Sequence, residues 1–117
     1  MSRTPLRPLR PPVLHLLLAL ASGPSHGYAL AQVVEARTGG RVRIGPGTLY
    51  ASIQRMEKAR LIEETEAPAG ADADARPRRF YRLTEVGRAR LVEELSAMES
   101  LVRHARSLSL LPAPAGA

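Results

Sequence analysis

At 117 residues the chain has room for one domain with a single small core. Its 44% hydrophobic content suits a folded globular protein, and the absence of cysteine excludes a disulfide framework, a thiol nucleophile and any zinc site built on thiolates. The formal net charge of +6 and sequence pI of about 11.0, carried by arginine with Lys58 as the only lysine, favour a polyanionic partner.

Residues Met1 to Pro12 read as an extended basic arm, because Pro5, Pro8, Pro11 and Pro12 forbid a regular helix. Two readings stay open for it, a cationic strand lying along DNA and a loose tail, and chain ends favour the second. Val13, Leu14, Leu17, Leu18 and Ala21 mark a first helix from Pro12 or Val13, with proline in its first turn and Gly23-Pro24 ending it. This apolar run is interrupted by His15 and is too short to span a bilayer. The prolines before it argue against a secretory leader, so an intracellular protein is expected. Ser25 offers an N-cap for a second helix, His26 to about Thr38, with Leu30, Val33 and Val34 buried and Gly39-Gly40 as its stop. Arg41 to Ile44 is extended enough to add a small strand.

Gly45-Pro46-Gly47 launches a third helix with two unlike faces. Leu49, Ile53 and Met56 recur at i, i+4 and i+7 and form an apolar stripe. Opposite lie Gly47, Ala51, Gln54 and Lys58, flanked by Thr48 and Arg55 on one side and Tyr50 on the other. A helix that enters a major groove needs small residues for close approach and Arg, Gln, Thr and Lys to reach base edges and phosphates. A merely solvated face carries the same pattern, so this helix alone leaves the two readings level.

Leu61 to Glu66 and Arg78 to Leu83 have strand character. Between them, residues 67–77 hold Gly, Pro and Asp but no apolar side chain larger than Ala, as a solvent-exposed hairpin loop should. Three helices followed by such a hairpin make a mainly α winged helix-turn-helix arrangement, with the loop as wing. Thr84 caps a final helix from Glu85 to roughly Leu110, closed by Pro112 and Pro114. Leu91, Leu95, Met98, Val102 and Ala105 step along it by four, three, four and three residues, a narrow seam. About 26 residues of helix would run about 39 Å, beyond a domain this small. The expected partner is the same helix of a second copy, although its first turns can complete the chain's own core. The expected division is an arm at 1–12, a winged domain at 13–83, a dimerisation helix at 84–111 and a tail at 112–117.

His26-Gly27-Tyr28, Gly47-Thr48-Leu49-Tyr50, Arg55-Met56-Glu57, Leu61-Ile62 and Tyr81-Arg82-Leu83-Thr84-Glu85-Val86-Gly87, in this order and spacing, resemble the PadR family of transcriptional regulators. The likeness runs from about Leu14 to Leu95 and is to the small members with a single C-terminal helix. It implies a winged helix-turn-helix DNA-binding domain and a homodimer that represses from a pseudo-palindromic operator, in the cytoplasm and at the bacterial nucleoid. Two features depart from the family. Arg60 stands where members commonly have Gly, so either it takes a left-handed backbone or the helix ends differently. The wing tip carries Asp72 and Asp74, which leaves its base, Arg76, Arg78 and Arg79, to touch the DNA backbone.

On this reading Arg55 and Gln54 contact base edges, Ala51 permits close approach, and Thr48, Tyr50 and Lys58 bind phosphates. Tyr28 either donates to a phosphate beside the free N–H groups of the second helix or packs in the core. Tyr81 is expected in the core. His15, His26 and His104 fall on separate helices without a metal-ligand spacing, and no catalytic constellation is evident, so no metal, cofactor or enzymatic activity is expected. Two alternatives remain: a sensor released from DNA by a small hydrophobic effector between the C-terminal helix and helix one, and a winged helix used only for protein contacts.

Overall fold

In the computed structural model, which describes residues 8–70 and 78–115, two prolines open the first helix, α1 (Pro11–Leu20). Proline suits a first turn, where the missing N–H has no helical partner anyway. Val13, Leu16, Leu17, Ala19 and Leu20 of α1 are buried, so nearly every side of it except the His15 edge meets the core. Gly23, at φ 147, turns the chain after it.

The next two residues form a strand, β1 (Ser25–His26), and only then does α2 (Gly27–Arg37) begin. The expected Ser25 cap is therefore corrected to His26: the Ala29 N–H donates to His26 Nδ1 at 3.2 Å, so an imidazole takes the place usually held by a hydroxyl or carboxylate oxygen. Gly27 packs tightly, since a Cβ there would stand 3.0 Å from Ile53 Cδ1 and the isoleucine would have to give way. Leu30 and Val34 share that buried line with it. Val33 lies about 100° round the cylinder and is 42% exposed, which removes it from the expected stripe.

No strand forms over residues 41–44. The Val42 N–H, which a ladder would need, donates instead to Thr38 Oγ1 at 3.0 Å, while that hydroxyl is 2.9 Å from the Val34 carbonyl. The loop is thus folded back on the end of α2, and Glu35 and Arg43 pair across it at 3.1 Å.

Helix α3 (Pro46–Lys58) buries Leu49, Ser52, Ile53 and Met56. Its end is built by two reverse bonds, Arg60 N–H to Glu57 O at 3.0 Å and Leu61 N–H to Met56 O at 2.9 Å. That geometry requires a left-handed residue between them, and Arg60 supplies it at φ 60. Leu61 and Met56, the apolar pair that accompanies such an ending, are both buried.

Strands β2 (Ile62–Thr65) and β3 (Phe80–Leu83) pair antiparallel from Ile62↔Leu83 to Thr65↔Phe80. The far edge of β3 pairs with β1 through Ser25↔Tyr81 and His26↔Phe80, giving the order β1-β3-β2. The wing is therefore one side of a three-stranded sheet. Its tip, with Asp72, Asp74 and Arg76, lies outside the described residues.

The last helix, α4 (Glu85–Ser107), is 23 residues long and stops short of the expected Leu110 through a reverse turn with Ser109 at φ 60. Thr84 caps it, accepting the Gly87 N–H at 2.9 Å and donating to the Arg60 carbonyl at 2.7 Å. Gly87 is obligatory there, because a Cβ would come within 2.0 Å of the Leu61 carbonyl oxygen. One hydroxyl and one glycine thus join the end of α3, the sheet and the start of α4. A single core results, with Leu16, Leu17, Leu30, Val34 and Met56 at its centre and Tyr81 and Leu91 at its margin. The Tyr81 ring is core, as expected, and burial with the nearby Glu57 carboxylate pushes its hydroxyl pKa up.

Candidate nucleic-acid interface

Burying Leu49, Ile53 and Met56 fixes what α3 shows outside. Thr48, Tyr50, Ala51, Gln54, Arg55 and Lys58 are all exposed along one side of it, Tyr50 at 69%. Gly45 and Gly47, at the start of the helix, have open space where a side chain would stand. This end can approach a groove floor closely, and the longer polar side chains follow toward the C-terminal end.

Beside it, Tyr28 stands in the first turn of α2 with 61% of its surface exposed, which resolves the open choice against a core position. Arg78, at the base of the wing, lies 5.8 Å from the Tyr28 ring centroid and 3.4 Å from both ring nitrogens of His26. Arg78 Nη1 is thus equidistant from the two ring nitrogens. Phe80 meets the same imidazole edge-on, with centroids 5.4 Å apart. His26 is thereby kept neutral: burial, and then the Arg78 charge, lower its pKa. Arg78 is held between two rings yet exposed, a cation positioned without a carboxylate partner among the described residues.

Between α2, α3 and the wing base runs an open groove of about 940 Å³, lined among others by Tyr28, Gln32, Tyr50, Gln54, Arg78 and Arg79. Arg79 approaches Glu64 at 3.8 Å, a loose and solvent-exposed pair, and also hydrogen-bonds the Tyr81 hydroxyl. Of the expected DNA-facing residues, Tyr28, Tyr50, Gln54, Arg78 and Arg79 line this groove, Thr48, Ala51 and Arg55 line a second one between α1 and α3, Lys58 is exposed outside both, and Arg76 lies outside the described residues. Gln32 went unread in the sequence, although it sits one turn after Tyr28 on the same helix face.

The proposed seam of α4 is divided. Leu91 is buried in its own chain and Leu95 packs against the same core, whereas Met98, Val102 and Ala105 lie beyond it, half-buried or exposed. Leu101, 70% exposed, and Leu108 extend the apolar surface and were not anticipated.

Comparison with known proteins decides the family. A family model, the transcriptional regulator PadR-like family, matches residues 13–93. The chain belongs to that family. A transcriptional regulator of Mycobacterium tuberculosis is 39% identical over 90 residues, which cover 77% of this chain and 78% of the relative. A PadR-like transcriptional regulator from Bacillus cereus superposes with a TM-score of 0.68 at 22% identity, over 86% of this chain and 92% of that one. A PadR family transcriptional regulator from Eggerthella lenta gives 0.59 at 27% identity, over 83% and 82%. As a PadR-like protein the chain is a winged-helix, DNA-binding transcriptional regulator, and the family is one of regulators rather than enzymes. No helix among its described residues is long and apolar enough to cross a membrane.

Proposed function

We propose that this PadR-like regulator is a repressor that binds a pseudo-palindromic operator as a homodimer, with one α3 in the major groove of each half-site. The observation that carries this reading is the outward face of α3, where Gln54, Arg55 and Lys58 are exposed and the two cations make no ion pair among the described residues. The carboxylates of Glu35, Glu63, Glu64, Glu94 and Glu99 are all paired with arginines elsewhere. Arg55 and Lys58 have no such partner among the described residues, although Glu57, on the same helix, lines the groove beside Gln54. Arg55 and Gln54 read base edges; Thr48, Tyr50, Lys58, Tyr28, Arg78 and Arg79 hold phosphates. The outer half of α4, with Met98, Leu101, Val102 and Leu108, joins the two subunits.

Titration of a labelled duplex at two salt concentrations tests it. Arg55→Ala should cost about 1–3 kcal/mol on a preferred site and less on mixed sequence, whereas Lys58→Ala should weaken both alike and flatten the salt dependence. Salt-tolerant binding, or equal losses on both duplexes for Arg55→Ala, would contradict the assignment.

A further inference from the structure

The residues just before α1 are anchored to the body of the domain. Leu9 packs against the core, and its N–H donates to Glu94 Oε1 at 3.1 Å, a contact between residues 85 apart in sequence. The other oxygen of Glu94 is 3.2 Å from Arg90 Nη1. The side chains of this pair are only 15% and 13% exposed, so water screens it far less than the other ion pairs of the described residues. On the other side of Arg10, Pro11 and Pro12 are locked into the first turn of α1. Arg10 is consequently held from both directions, with an extended backbone of φ −65 and ψ 144.

The two prolines remove two backbone donors from this helix start, so an anion arriving here depends more on a side chain. Arg10 is exposed and makes no ion pair among the described residues. It lines a groove of about 500 Å³ between α1 and α3 together with Thr48, Ala51, Ser52 and Arg55. That groove offers two guanidinium groups and two hydroxyls but no carboxylate. Two cations facing one space repel each other until an anion lies between them, and the outward face of α3 opens on the same side.

We propose that Arg10 is a further DNA contact, gripping a backbone phosphate beside α3, and that Glu94 is the positioning residue that fixes it there through Leu9. The proposal rests on the DNA-binding role of α3 and adds a second element to it. Because the anchor belongs to α4, the helix that carries the exposed apolar residues also sets where this arginine stands.

The test uses the full chain and a labelled duplex of mixed sequence, titrated across a range of salt. Arg10→Ala should lower affinity about threefold to tenfold, with the log–log salt dependence shallower by about 0.9 for each phosphate no longer neutralised, and Arg10→Lys should recover most of the affinity. Glu94→Ala, checked for folding by its melting curve, should weaken binding to the same extent and add nothing to Arg10→Ala. Glu94→Met, which keeps the length of the side chain but removes both the acceptor for the Leu9 N–H and the ion pair, takes its place if the alanine variant does not fold. Unchanged affinity and slope for Arg10→Ala, alongside a clear loss for Lys58→Ala, would overturn the proposal and leave the α3 reading standing. Wild-type binding by both variants would remove the two together. Full binding by a folded Glu94 variant, or additive losses in the double variant, would overturn the positioning role.

Discussion

Arg60 holds a left-handed backbone at φ 60, one of two non-glycine residues among the described residues to do so. The end of α3 keeps its reverse bonds and its Leu61–Met56 contact, so the fold demands a left-handed residue at 60 whatever the side chain. For an L-residue that conformation costs about 1–2 kcal/mol, part of which glycine would return as greater freedom of the unfolded chain. Arg60→Gly should therefore raise stability by about 1 kcal/mol, visible as a melting temperature higher by about 4–8 °C. An unchanged or lower melting temperature would mean that Arg60 contributes contacts that outweigh its strain. The sequence posed this choice correctly, because Gly at such positions is a backbone requirement, but one chain could not decide between strain and a different ending. The exposed faces were easier to read: a period of 3.6 residues put Leu49, Ile53 and Met56 inward and left Gln54, Arg55 and Lys58 no other side.

Among the elements, the one that sequence reading missed is β1. Two residues with no apolar alternation carry no strand signal, and their partners Phe80 and Tyr81 lie more than fifty positions away. The segment that did look extended, residues 41–44, was claimed by the Thr38 hydroxyl, a local side-chain bond that outcompetes a ladder. What β1 does is set His26, which starts α2 and backs Arg78 at the wing. Its Nδ1 must be unprotonated to accept the Ala29 N–H, in keeping with its lowered pKa. With the folded value below the unfolded one, the unfolded chain takes up the proton first as pH falls below about 6.5. Stability is then full above that pH and declines on acidification. His26→Asn keeps a capping oxygen without a titration, so its melting temperature should vary less between pH 7 and pH 5 than that of the wild type. Parallel curves for the two proteins would contradict the role given to this imidazole.

For the whole molecule, the deciding feature is that α4 divides along its length into a part packed on the core and a part left in solvent. Its first turns are spent on the chain's own core at Leu91 and Leu95, tied down through Thr84 and Gly87, while Leu101 and Leu108 stand in solvent. A heptad count could not say where the core stops, since that depends on how the sheet and α1 meet the helix. Leu101→Glu should shift the chain toward monomer in sedimentation and weaken duplex binding, with its melting temperature at high dilution little changed. A mutant that sediments as the wild type does would place the subunit contact elsewhere. The wide arginine surface, legible in the charge balance, acquires direction only through this pairing, because two α3 helices related by a twofold axis should meet major grooves about 34 Å apart. Selection of binding sites by the full chain from a pool of random-sequence duplexes tests this most directly. The account predicts enrichment of a twofold-symmetric site with half-site centres about one helical turn, 10–10.5 base pairs, apart. A pool that stays random, or that yields a single asymmetric half-site, would contradict it.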